Sequence, residues 1–162
     1  MYTYGDSTLN FSDYTISSYG DNQDVESTIT IEDDGQTLKM EGNTWKKISL
    51  PYTLTANTII EFDFKSTVQG EVHGIGFDDD NRINSGKTFK LYGSQNWGIN
   101  SFNNYSSGGT WKHYQIDIGN FYTGEMNYLF FTNDHDRSNP TATSYFSNLK
   151  IYEKTVLNIS HD

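Results

Sequence analysis

The sequence predicts an all-β protein, a two-sheet antiparallel β-sandwich of the jelly-roll kind, and three observations predict it. Apolar and polar residues alternate over short runs. From Thr58 to Lys65, Ile60, Phe62 and Phe64 alternate with Glu61, Asp63 and Lys65, the period of a strand with one buried face. Turn residues separate such runs at intervals of ~8–12 residues, the spacing of a sandwich or barrel. Aromatics reach 15% of the chain (Tyr 12, Phe 10, Trp 3), while heptads, long helical periods and internal repeats are absent.

The 162 residues suit one domain, with a core over 25–153 and linker-like ends at Met1 to Tyr4 and Asn158 to Asp162. An edge strand is expected around Tyr14 to Ser17. Thr28 to Glu32 runs into Asp33-Asp34-Gly35, and Thr37 to Glu41, with Leu38 and Met40 on one face, completes a hairpin around that Asp-Gly. Gly42-Asn43 is expected to turn the chain again before a strand through Trp45 and Ile48. Pro51 and Tyr52 read as a connection, because proline cannot donate to a central ladder. Thr58 to Lys65 and Glu71 to Phe77 match in length, and the short polar link Ser66 to Gly70 predicts that they pair as a hairpin. Later strands are expected at Thr88 to Tyr92, Trp111 to Ile118, Met126 to Thr132 and Ser144 to Glu153. Phe89, Leu91, Tyr114, Ile116, Ile118, Phe146, Leu149 and Ile151 supply their apolar sides. Trp45 and Trp111 sit inside strand patterns and are expected in the core. His73 shares a side with Ile75 and Phe77 and reads as a satisfied core histidine.

Asp+Glu 21 against Lys+Arg 11 gives a net charge of −10, which repels a phosphate backbone and an anionic membrane surface. Nucleic acid and membrane are therefore not expected partners. With no cysteine there is no disulfide and no thiolate chemistry. No apolar run approaches the ~18 residues of a spanning helix. Met1 to Tyr4 carries neither a basic nor an apolar leader region, so the chain reads as an intracellular protein or as an excised piece, with the polar ends favouring the latter. Nucleophile-elbow, HExxH, phosphate-loop and CxxC patterns are absent. Glu61, Asp63 and Glu71 offer the two carboxylates of a glycosidase, but a sandwich of this size provides a smaller groove than such pairs occupy. The expectation is that the chain is not an enzyme.

Candidate binding residues fall in two loops expected at the same end of the sandwich. Gly93 to Thr110 brings Trp97, Asn100 and Tyr105, and Asn133 to Thr143 brings Asp134, His135, Asp136 and Arg137. An aromatic platform beside charged and amide groups suits a sugar, whose C–H face packs on the ring while its hydroxyls take directional hydrogen bonds. The competing reading of Trp97 is a plug closing the sandwich end. Asp78 and Asp80, with Asp79 and Asn81 between and after them, present hard oxygen ligands of the kind calcium takes, without an EF-hand pattern. Asp134 and Asp136 form a second such pair, with His135 cast as a donor to a ligand. The alternative for both clusters is a solvated acidic turn.

The runs IEFDFKST and GEVHGIGFDDDN, the segment KLYGSQNWGI, and the closing NDHD and SYFSNLKIYE resemble carbohydrate-binding modules of the β-jelly-roll, galactose-binding-like type. These are non-catalytic modules found beside polysaccharide-degrading enzymes of bacteria. The resemblance spans roughly Gly35 to Glu153. It implies a structural Ca2+, a secreted location and a tether to a catalytic domain. It also implies a glycan site, either at the loop end through Trp97, Tyr105, Asp134 and His135, or on a sheet face through Glu61, Asp63, Lys65, Lys90 and Tyr92. The sequence departs from the usual calcium pattern of these modules in lacking a Glu-x-Glu on the first strand. A polysaccharide-binding module is thus expected. The alternatives are an adhesion or structural domain of a larger bacterial surface protein, or a small lyase or glycosidase. Neutral galactan, xylan or glucan is expected ahead of a carboxylated glycan, which would meet like charge and need local Lys or Arg, or bridging calcium.

Overall fold

The computed structural model describes residues 8–106 and 108–155, so the expected linkers Met1 to Tyr4 and Asn158 to Asp162 lie outside the described residues. Nine strands follow one another: β1 (Ile16–Ser18), β2 (Val25–Glu32), β3 (Thr37–Leu54), β4 (Thr58–Lys65), β5 (Val72–Asp78), β6 (Thr88–Tyr92), β7 (Lys112–Ile116), β8 (Gly124–Asp134) and β9 (Thr143–Glu153). All their pairings are antiparallel. They form two layers. In the first sheet, β1 and β8 flank the later half of β3, and β5 and then β6 continue beyond β8. In the second, β2 and β9 flank the earlier half of β3, and β4 and then β7 continue beyond β9. The expected all-β sandwich is what forms.

The layers face each other through aromatic rings supplied by the alternating strands. Across the layers Phe131 of β8 meets Phe146 of β9 at a ring-centroid distance of 5.0 Å, and within the second sheet Phe62 and Phe64 of β4 meet Phe146 at 5.8 and 5.2 Å. Such pairs add ~0.5–1.5 kcal/mol each to the burial of their area. Packing begins earlier than position 25, because Phe11 is fully buried against Phe131 at 5.7 Å and the Leu9 N–H donates to the Leu149 carbonyl.

The hairpin around Asp33-Asp34-Gly35 forms as expected, with Glu32 opposite Thr37. Three other expectations fail. Gly42-Asn43 does not turn the chain: β3 runs on for 18 residues and passes from one sheet to the other there. Gly42 permits this with φ of +88, and a Cβ would lie 2.2 Å from the Glu26 carbonyl oxygen. Pro51 lies within β3, exposed, at a register shift in the ladder with β8 between Ser49 and Tyr52, which spares it a donor role. Finally, β4 and β5 do not pair. β4 joins β7 and β9 in the second sheet, β5 joins β6 and β8 in the first, and residues 66–71 cross between layers. Burial explains the separation: β4 alternates buried with half-buried positions, whereas β5 is buried throughout.

β5 is covered on both faces because the first sheet carries a second, smaller cluster on its outer side. Phe130, opposite in phase to Leu129 and Phe131, stacks on Tyr19 at 4.5 Å, and Trp45 meets Trp97 edge-on at 6.0 Å. Gly76 lets this cluster approach the sheet. A Cβ there would sit 2.1 Å from the Lys87 carbonyl oxygen and 2.7 Å from the Phe130 ring.

Candidate functional site

The outer face of the second sheet is open. Alternation along β4 buries Ile60, Phe62 and Phe64 and turns Glu61, Asp63 and Lys65 outward. On β7 the same alternation buries Tyr114 and Ile116 and leaves Trp111 and His113 outside. Register places Asp63 between His113 and Ser147, and Lys65 beside Tyr145. A groove of about 530 Å³ results, with Trp111 and His113 on one side, Asp63 in the middle, and Ser147 and Asn148 on the other, where Asp33 and Gln36 complete the lining.

The polar centre of this face is a histidine between two carboxylates. His113 Nδ1 lies 2.8 Å from Asp63 Oδ1 and Nε2 lies 2.9 Å from Glu61 Oε2, an arrangement in which both ring nitrogens donate when the ring is charged. Partial burial opposes that charge, but the hydrogen bonds to Asp63 and Glu61 outweigh it and hold the His113 pKa above its ordinary value. Asn148, at φ +53 beside the register shift of the β4–β9 ladder, donates through Nδ2 to Asp63 Oδ2 at 2.9 Å, and the Tyr152 hydroxyl donates to Glu61.

The aromatic part of the face is Trp111, 44% exposed, with Tyr145 edge-on to it at 6.2 Å. The Lys65 ammonium stands 4.7 Å from the Trp111 ring centroid and 4.6 Å from that of Tyr145. Exposed cation–π contacts of this kind are worth ~0.5–1 kcal/mol each.

The residues expected to form a loop-end site are placed differently. The two loops do leave from the same end, since the start of β5 pairs with both the end of β6 and the end of β8. Trp97 is half-buried against Trp45 in the cluster on the outer side of the first sheet, and so does not plug the end of the sandwich. Tyr105 is a core residue, 7% exposed, whose hydroxyl accepts from the Ser66 N–H at 3.1 Å and donates to the Thr110 carbonyl at 2.7 Å. Tyr92 packs on His73 and Tyr105, both at 5.1 Å, and Lys90 is 4% exposed on the first sheet, so neither shares a face with Glu61, Asp63 and Lys65. Asn100 is exposed and bonded to Asn96, and Arg137 is exposed against the Ser138 carbonyl. His135 accepts at Nδ1 from the Thr141 and Ala142 N–H groups, both at 3.0 Å, and so ties down its own loop. His73 is fully buried and hydrogen-bonded, as expected.

The two acidic clusters lie at opposite ends of β5, because Asp78 pairs with Tyr128 and Val72 with Asp134. Asp78, Asp79 and Asp80 group closely, yet Lys87 already lies 2.7 Å from Asp79 and 3.3 Å from Asp78, and the Tyr19 hydroxyl donates to Asp78. Asp134 and Asp136 come together beside Glu71. Burial, then Asp136 and Glu71, push the Asp134 carboxyl up to about 6, against a hydrogen bond from Trp45 Nε1 at 3.2 Å. Glu71 Oε2 is buried there without a partner.

The residues that sequence reasoning missed are Trp111, His113, Tyr145 and Asn148. For the first two the signal was present: the period that buries Tyr114 and Ile116 puts positions 111 and 113 outside. The bulge that swings Asn148 to Asp63 has no such signature.

No protein-family model matches the chain, and no curated protein matches it in sequence. Among solved structures, it is similar to a low-affinity xylan-binding module, CBM86, of the gut symbiont Roseburia intestinalis, with 12% identity, 92% of this chain and 95% of that one covered, and a TM-score of 0.49. A family 30 carbohydrate-binding module matches at 18% identity over 83% of this chain and 96% of that one, with a TM-score of 0.42. The glycoside hydrolase domain of Endo-D from Streptococcus pneumoniae matches at 13% identity and a TM-score of 0.46, over 86% of this chain but 21% of the enzyme chain.

Proposed function

We propose that the protein is a non-catalytic polysaccharide-binding module whose site is the outer face of the second sheet. The observation that carries this reading is Trp111, a large apolar ring 44% exposed in a groove otherwise lined by Asp33, Gln36, Asp63, His113, Ser147 and Asn148. A pyranose offers one apolar C–H face and a rim of hydroxyls, the complement of one exposed ring among hydrogen-bonding groups. The groove is open and shallow, so few sugar atoms are buried and affinity per site is low. Binding is favoured over turnover because Glu61 and Asp63 are both committed to one imidazole ring, while Glu71 lies in the crossing between layers, beside Asp134 and Asp136. An extracellular location and a parent chain with a catalytic domain go with this reading, since an open binding face serves an enzyme working on an insoluble or very large substrate.

Any structural calcium is assigned to Asp134 and Asp136 in preference to Asp78 and Asp80. The unpartnered Glu71 oxygen near Asp134 and Asp136 offers a hard cation a further ligand, whereas Asp78, Asp79 and Asp80, which group within 4.8 Å, already hold Lys87.

The test is affinity electrophoresis of wild type, Trp111→Ala and Trp97→Ala through gels containing xylan, galactan, β-glucan or uronic acid polymers. Wild type and Trp97→Ala are expected to be retarded by at least one polymer, and Trp111→Ala by none. Retardation lost in Trp97→Ala and kept in Trp111→Ala would move the site to the loop end.

A further inference from the structure

Outward positions along β4 run from Glu61 and Asp63, both bonded to His113, to Lys65. Asp33 and Asp63 line the groove itself, and Lys65 stands beside it, with its ammonium 4.7 and 4.6 Å from the Trp111 and Tyr145 ring centroids. Lys39 approaches Tyr145 from the neighbouring strand at 5.5 Å but is paired with Glu41 at 3.1 Å. Among the described residues no carboxylate pairs with Lys65. In a chain with 21 acidic residues against 11 basic ones, this is a cation outside every ion pair of the described residues and steadied by two aromatic rings.

We infer that the Lys65 end of the face receives an acidic substituent of the glycan, a uronic acid carboxylate or a sulfate ester, and that Lys65 is the residue that selects it. The inference rests on the reading of this face as a glycan site and adds the class of sugar. A neutral sugar on Trp111 uses the ring and the amide and hydroxyl groups but leaves the ammonium without a partner. An acidic one supplies that partner within reach of the same ring. Lys65 thus offers an acidic substituent a local partner in a chain whose net charge repels it. Glu61 and Asp63, further along the same strand, repel the same substituent, so the glycan is also oriented along β4.

The experiment is titration calorimetry with four polymers: a uronic acid polysaccharide and its carboxyl-reduced form, and a sulfated galactan and its desulfated form. Each is measured with wild type, Lys65→Met, Lys65→Arg and Trp111→Ala, at low salt and at about 1 M salt, where screening acts within ~3 Å. Wild type is expected to prefer one acidic polymer over its neutralised form by about two- to fivefold per site, the worth of an exposed ion pair. The polymer that shows the preference tells carboxylate from sulfate. Lys65→Met, which keeps the stem, should abolish the preference without abolishing binding. Lys65→Arg should keep it, and high salt should erase it. Binding that needs Trp111 but ignores the acidic groups, or a preference that survives Lys65→Met, overturns this inference alone. Failure of wild type to bind any of the four overturns the face reading with it.

Discussion

His73 should make the protein sensitive to mild acid, and lowering the pH tests this without touching the binding face. The Gly70 N–H donates to His73 Nε2 at 2.8 Å, so that nitrogen carries no proton; the proton sits on Nδ1 and is donated to Ser144 Oγ at 2.8 Å. Charging the ring would set a second N–H against that of Gly70 in a fully buried site. Burial first, with help from His135 and Lys90, accordingly lowers the pKa from 6.5 to about 3. A folded pKa below the unfolded one contributes stability that is present above pH 6.5 and lost as the pH falls towards 3. At pH 4.5 the loss is two pH units below the unfolded pKa, or ~2.7 kcal/mol at 1.36 kcal/mol per unit, reduced by any local relaxation. The assay is urea unfolding of wild type and His73→Gln between pH 7.5 and about 4.5, the glutamine keeping an acceptor for Gly70. The other histidines and the buried acids titrate in both proteins and cancel in the difference. Wild type should lose about 2–3 kcal/mol relative to the variant over that range. A difference that stays constant within ~0.5 kcal/mol would refute the assignment of a neutral, buried His73.

Three further outcomes are expected. Gly76→Ala should cost about 2–3 kcal/mol in urea unfolding, because its Cβ meets the Lys87 carbonyl and the Phe130 ring, while Gly86→Ala, whose only near neighbour is Asn84 Oδ1 at 3.2 Å, should cost under ~1 kcal/mol. Tyr105→Phe removes the partner of the Ser66 N–H and the donor to Thr110, so it should lower stability by about 1–2 kcal/mol and leave retardation in glycan gels unchanged. Calcium at a hundredfold excess over its Kd should raise unfolding stability by ~2.7 kcal/mol in wild type and reverse with EDTA. That gain should vanish in Asp136→Asn and persist in Asp80→Asn.

Where burial is one-sided, strand period revealed both the element and its inner face. β4 and β7 are examples, with Phe62, Phe64, Tyr114 and Ile116 all inward. Partnership was less legible, because pairing depends on which layer a strand joins and not on its own residues. β4 and β5 lie close in sequence and match in length, yet the all-round burial of β5 was the clue that they belong to different sheets. β3 was cut short at Gly42 because a glycine at a layer crossing and a glycine in a turn use the same backbone freedom. At the site, Glu61, Asp63 and Lys65 were readable as outward positions of a face. Tyr105 was misread because a tyrosine in a polar loop gives no sign that its ring points under the sheet, and Trp111 because its strand was weighed as a whole and not by phase.

β3 has a mechanical consequence. The same unbroken strand lies in the first sheet beside β8 and in the second beside β9, so the layers share a spine and cannot slide or part without tearing one ladder. Amide exchange along β3 should therefore follow global unfolding, with no slower-opening layer left behind. A polysaccharide pulling on Trp111 pulls on β7, then β4, then β9, and through β9 on that spine. The proposed binding face is thus braced against both layers, so that a load on it is borne by the whole body and not by one edge strand.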